Sequence, residues 1–115
     1  MDLLYTTTSG VTGVSDNWNN CHDARDGVTI WFAAGGYWTS QNSEMNRCYS
    51  SVASTGQNQS VAAHELGHMI ALDHNFTESP CSAVALMNPY TSQRYGSRGI
   101  NKPTTDDTNG VNSIY

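Results

Sequence analysis

His64-Glu65-Leu66-Gly67-His68, with His74 six residues further on, decides how this chain is read. Two histidines at i and i+4 lie on one face of a helix, one above the other. Both imidazoles can bind one metal ion while the helix stays intact. Glu65, one step round, reaches a water on that metal without being a ligand. In this arrangement zinc lowers the pKa of the water and the carboxylate takes its proton. The neighbouring residues suit a helix. Val61, Ala62, Leu66, Met69 and Ile70 supply apolar surface beside the histidines. Ser60 is the expected N-cap, with Asn58 or Gln59 as earlier starts. A pair of histidines at helical spacing is common on ordinary surface; the third histidine and a motif downstream raise this pair to a metal site.

The string from His64 to His74 resembles the metzincin consensus H-E-x-x-H-x-x-G-x-x-H. Three histidines and the glutamate match, and Ala71 stands where the family has glycine. That glycine lets the chain leave the helix sharply, so that the third histidine swings back to the metal. The positive φ of such a turn costs alanine roughly 1 kcal/mol more than glycine. Ala85-Leu86-Met87-Asn88-Pro89-Tyr90 resembles the Met-turn of the same clan, in the A-L-M-x-P form of matrixins. The resemblance implies that Met87 lies beneath the histidines as a hydrophobic floor and that Pro89 lines the substrate pocket. Taken alone, Met87 would be an ordinary core methionine. The segment from Thr105 to Tyr115 is similar to the last helix of matrixin catalytic domains, D-D-x-x-G-I-x-x-I-Y-G. Thr104 or Thr105 would cap it, with Asp106 and Asp107 at its positive end. By resemblance Asp107 ties this helix to the Met-turn; simple capping is the other reading. The similarity covers residues 59–115 and is weak before them.

Composition narrows the class. The chain has 115 residues, 37% apolar and 13% charged, with Ser, Thr, Asn, Gln and Gly filling the difference, as in many secreted enzymes. A net charge of −5 offers no basic stripe, which argues against a nucleic-acid partner. No stretch is long and apolar enough for a membrane span. Met1 to Tyr5 lacks the basic and apolar regions of a signal peptide, so the expectation is a mature catalytic domain or a fragment of a longer gene product. Cys21, Cys48 and Cys81 allow three single pairings. Cys48–Cys81 is preferred, because Cys81 lies in a long loop between His74 and Met87 that a tether would hold.

Elsewhere the reading is coarse. Leu3 to Thr8 suits a strand and Ser9 to Gly13 a turn; Val14 to Cys21 suggests a short helix near Trp18. Gly27 to Phe32 is the best strand, apolar enough for a central position. Ala33 to Asn42 reads as a loop around Gly35-Gly36, Arg47 to Ala53 as a second strand, Thr55 to Asn58 as a turn, and residues 91–103 as a loop. His22, Asp23 and Asp26 form a cluster that could bind a second metal, although a solvated loop is favoured. Asn58 and Asn75 begin glycosylation sequons beside the histidine motif.

The expectation is one domain over residues 1–115, an α+β zincin of metzincin type. A mixed twisted sheet packs on the active-site helix, with a Met-turn and a C-terminal helix. The implied function is a zinc-dependent endopeptidase, secreted and monomeric, acting on protein or peptide substrates. His64, His68 and His74 would hold Zn²⁺ at ~2.0–2.1 Å, with Glu65 as general base. An extended substrate would pair with the strand around Tyr49. A gluzincin would need a glutamate ligand, but Glu78 follows His68 too closely. The remaining alternative is an inactive or truncated zinc-stabilised binding module, against which the intact Glu65 counts.

Overall fold

The computed structural model describes residues 15–34, 37–77 and 83–114. The strand and turn expected between Leu3 and Gly13 lie outside them, as does Cys81. The order is β1 (Ser15–Trp18), β2 (Gly27–Ala34), β3 (Tyr37–Asn46), α1 (Arg47–Ser50), α2 (Thr55–Met69), a π-helical turn (Ser92–Gly96) and α3 (Thr105–Ile114). This is an α+β arrangement of a mixed sheet and helices. β3 runs between the other two described strands, parallel to β1 and antiparallel to β2. The β2–β3 register runs from Gly27 opposite Met45 to Ala34 opposite Tyr37, with an irregularity between Phe32 and Ala33.

Several expectations are corrected. Residues 15–18 form a strand instead of a short helix, because pairing with Glu44 and Asn46 outweighs weak local preference. β2 is at an edge of the described sheet, and Ile30 is exposed on it. The supposed loop over 33–42 is mostly strand, since Tyr37 and Trp38 are strand formers set opposite Ala34 and Ala33 of β2. Arg47 to Ser50 is helical where a strand was expected. The cause is Asn46, whose side-chain oxygen accepts from the Cys48 amide as an N-cap.

Asn46 also fastens the loop between β1 and β2. It is fully buried, and its amide nitrogen donates to the carbonyls of Asn20 and Arg25 while its oxygen accepts from the Asn20 amide. Its backbone N–H donates to the Asp26 carbonyl at 2.8 Å. A disulfide between Cys21 and Cys48 closes the same loop onto α1, which replaces the preferred Cys48–Cys81 pairing. The tether forms where Asn46 already brings the two segments together.

α2 begins earlier than Ser60. Ser54 is the N-cap, its hydroxyl accepting from the Gln57 amide at 3.1 Å. One face of α2 packs on the sheet, with Met45, Val61 and Ala62 buried and Leu66 against them. The alternation of a strand puts Ser43 and Met45 on the same buried face. The opposite face of α2 meets the buried segment Val84 to Asn88. Gly67 makes that approach possible, since a Cβ there would overlap the Met87 sulfur. Burying these side chains supplies about 1.5–3 kcal/mol for each large one, which is how a short core holds two segments on one helix.

Candidate metal centre and active site

α2 ends in a turn built for the third histidine. The Leu72 amide donates to the Gly67 carbonyl and the Ala71 amide to the His68 carbonyl, the paired hydrogen bonds of a Schellman cap. Ala71 has φ 73°, as expected from the sequence, and it occupies the position normally given to glycine. The chain therefore reverses after one residue and returns His74 to the helix face.

The three imidazoles converge there. His68 Nε2 lies 3.1 Å from His64 Nε2 and 3.0 Å from His74 Nε2. Their ring centroids are 4.7 to 5.3 Å apart. His64 Nδ1 donates to the Leu86 carbonyl at 2.9 Å and His68 Nδ1 to the Leu72 carbonyl at 2.8 Å. With the proton on Nδ1, the Nε2 lone pairs of both rings face the common centre. Lone pairs at that separation repel unless a cation lies between them. A tetrahedral zinc with bonds of ~2.0–2.1 Å spaces its ligand nitrogens by about 3.3 Å, close to what is seen. The donor set and the carbonyls behind it thus suit a zinc ion. Burial is the main cause that pushes His64 down to about 2, helped by the Arg94 charge, and burial also lowers His68. In both rings burial favours the neutral imidazole, the form that binds a metal. Among the described residues these three histidines are the group able to hold a metal ion.

Glu65 is buried beside them, with its carboxylate toward the same cleft. Thr29 Oγ1 approaches both Glu65 Oε1 at 3.1 Å and the Glu65 carbonyl at 3.0 Å. Ser43, opposite Thr29 in the register, lies 2.7 Å from the same hydroxyl. Ser43 can donate to Thr29 while Thr29 donates to Glu65, a relay from β3 through β2 to the carboxylate. Gly27 leaves the necessary room, since a Cβ would come within 2.9 Å of Glu65 Cγ. Burial pushes Glu65 up to about 7, against the Thr29 bond and the Arg94 charge, which makes it a stronger base than a solvated carboxylate.

The cleft has a volume of about 700 Å³. α2 forms its floor, the start of β2 one wall, and the segment Pro89 to Ser92 the other. Pro89 is among the residues that line it. Met87 is 2% exposed and packed on Gly67. Asp107 accepts from the Leu86 amide at 3.0 Å and the Met87 amide at 3.2 Å, so it does join α3 to this segment. It also accepts from the Thr104 amide, which completes the N-terminus of α3. Tyr49 is in α1 and does not offer a strand to substrate; its hydroxyl donates to the Asp23 carbonyl. His22, Asp23 and Asp26 do not assemble. Asp23 pairs with Arg25, whose guanidinium and backbone hold it at about 2, and Asp26 accepts from Thr91.

Thr29, Ser43, Gly27 and Arg94 were not singled out by sequence. Arg94 is 1% exposed and donates to Ser60 Oγ, the Asn88 carbonyl and Thr91 Oγ1. No local pattern marks it, because burial follows from its bond to Ser60 of α2, thirty-four residues earlier, while Asn88 and Thr91 lie just before it. No curated protein and no solved structure matches this chain significantly. The model of one family, the matrixins, matches residues 16–115, which include every residue of the site just described, and the chain belongs to that family.

Proposed function

We propose that the protein is a zinc-dependent endopeptidase, in keeping with the metallopeptidase character of its family. The observation that carries this reading is the convergence of three histidine nitrogens, two fixed by backbone carbonyls, beside a buried carboxylate in an open cleft. His64, His68 and His74 would hold the ion. Zinc bound there lowers the pKa of a water and polarises a peptide carbonyl. Glu65 accepts the proton of the attacking water and delivers it to the leaving amine. Thr29 holds the Glu65 carboxylate in the orientation that transfer needs. The segment Ala85 to Tyr90 acts as the Met-turn of a metzincin fold, with Met87 supporting the histidine rings from behind and Pro89 facing substrate.

The same reading makes residues 1–115 one catalytic domain, a secreted monomer acting on extended protein or peptide chains. Matrixins are generally extracellular, and no described helix is long and apolar enough to cross a membrane. Hydrolysis of casein by zinc-loaded protein tests the proposal. Activity is expected to vanish with a chelator, return with zinc, and fall by about 10² or more in Glu65→Gln, the scale of general-base catalysis. Chelator-resistant hydrolysis, or wild-type turnover by Glu65→Gln, overturns it. Zinc binding without hydrolysis would leave a zinc-stabilised binding module instead.

A further inference from the structure

The cleft is crossed at one end by a hydrogen-bonded chain that the peptidase chemistry does not use. Thr91 Oγ1, on the wall after Met87, donates to Asp26 Oδ2 at 2.6 Å, on the opposite wall. Arg94 supports the link from below, its Nη2 donating to Thr91 Oγ1 at 3.0 Å and its Nε to Ser60 Oγ at 2.8 Å. Ser60 lies four residues of α2 before His64, about 6 Å along the helix axis, and its hydroxyl holds the guanidinium on that side of the histidines. Asp26 immediately precedes Gly27, which packs against Glu65 and Val61. The chain therefore spans the cleft from wall to wall, one helical turn beyond the reacting centre and on the side of Glu65.

Both anchors are fixed. The Asp26 carbonyl accepts from the Asn46 amide, and the Arg25 carbonyl before it accepts from the Asn46 side chain. On the other side the Tyr90 amide donates to Asn88 Oδ1, and the Arg94 amide donates to the Tyr90 carbonyl. Arg94 Nη1 holds the Asn88 carbonyl at 2.7 Å. A flexible surface contact would yield to a bulky substrate side chain. A buried cation with bonds to two segments, α2 at Ser60 and the stretch from Asn88 to Thr91, does not yield without leaving polar groups unpaired, which is costly.

We propose that Asp26, Thr91 and Arg94 form a specificity bar, restricting the substrate side chain that enters the cleft beside Glu65 to a small one such as that of alanine or serine. This rests on the peptidase reading and adds the class of residue cleaved beside. An aromatic or long aliphatic side chain would have to displace the Asp26–Thr91 link, which Arg94 holds in place through Thr91.

The test uses two peptide hydroxamates, identical except for a methyl or a benzyl side chain next to the zinc-chelating group. Their binding to zinc-loaded protein is measured by calorimetry, independently of turnover. The wild type is expected to bind the methyl compound at least about tenfold more tightly. Asp26→Ala and Thr91→Ala are expected to shrink that ratio by about tenfold, while Thr91→Ser, which keeps the hydroxyl, preserves it. Asp26→Ala leaves the Arg94 bonds to Ser60, Asn88 and Thr91 in place, so it carries the test if Thr91→Ala does not fold. Equal binding of both compounds by the wild type overturns the bar alone. A ratio unmoved in folded, zinc-loaded Asp26→Ala does the same and leaves these residues a purely structural role. Binding of neither compound overturns the peptidase reading and the bar together.

Discussion

Replacing Ala71 by glycine should stabilise the protein, which is the reverse of what the same change does inside a helix. Ala71 has φ 73° at the position that ends α2, and its side chain is exposed, so no packing is lost with the Cβ. An L-residue in the left-handed region pays roughly 1–2 kcal/mol for the clash of Cβ with its own backbone. Glycine escapes that cost but gives the unfolded chain more freedom, worth about 0.4–1 kcal/mol against folding. The difference leaves a net gain of about 0.5–1 kcal/mol in Ala71→Gly. With a urea slope of about 1.5 kcal/mol/M, the midpoint should rise by about 0.3–0.7 M. The assay is urea unfolding followed by far-ultraviolet circular dichroism, with zinc saturating in both proteins. Ala71→Val gives the opposite sign, because a β-branched side chain fits positive φ worse than alanine does. A lower midpoint for Ala71→Gly would mean that α2 continues through residue 71, and the route by which His74 reaches the other histidines would be refuted with it.

Three further outcomes follow from the site. Metal analysis should find about one zinc per chain, lost in His74→Ala, and chelation should lower the melting temperature because bound metal favours the folded state; full zinc occupancy in His74→Ala would remove that residue from the ligand set. Thr29→Val should retain zinc but lower kcat by about ten- to a hundredfold through a misplaced Glu65, with Thr29→Ser restoring it; an unchanged kcat would show that the relay from Ser43 is dispensable. Asp107→Ala should cost about 3 kcal/mol in urea unfolding, since it leaves the buried amides of Leu86 and Met87 without an acceptor, and a cost below about 1 kcal/mol would contradict that role.

What could be read from the sequence was what local geometry determines. The spacing of His64, Glu65 and His68 needs only the helical repeat. The reversal at Ala71 follows from the need to bring His74 back within a few residues. The role of Asp107 was legible by resemblance, because the A-L-M-x-P and D-D pairs come together. The failures all involve partners far along the chain. Arg47 to Ala53 contains residues that favour a strand, yet Asn46, held by Asn20 and Arg25 some twenty residues earlier, starts a helix there. The start of α2 was placed at Ser60 because a serine precedes an apolar run. Ser60 is instead a buried hydroxyl that donates to the Ile100 carbonyl and accepts from Arg94, and Ser54 is the cap. The disulfide joins Cys21 to Cys48 because the Asn46 network has already closed that loop. Thr29, Ser43 and Arg94 look like any strand threonine, strand serine or loop arginine until the fold places them.

The histidine site is also bound into the fold through a single peptide group. The Leu86 carbonyl accepts from His64 Nδ1, and the Met87 amide of the same peptide donates to Asp107 of α3. The ring that presents its lone pair to the metal is therefore oriented by a backbone unit whose other end is held by a carboxylate twenty residues later. An ionised acceptor shortens and strengthens the bonds it receives, and it polarises the peptide so that its carbonyl becomes a better acceptor for His64. The Leu72 carbonyl likewise orients His68, but it is positioned by the Schellman turn at Ala71 instead of by α3. Two of the three imidazoles thus depend on different parts of the chain. Damage to α3 should loosen His64 first, while damage to the turn should loosen His68 and His74 together. Asp107→Asn separates these cases: it keeps an acceptor oxygen at this position but removes the charge. Zinc affinity should fall modestly in this variant. The stability change caused by Ala71→Gly, measured with Asp107 and with Asp107→Asn, should be the same within ~0.3–0.5 kcal/mol. A strong departure from additivity would show that the turn and α3 act on the histidines as one unit.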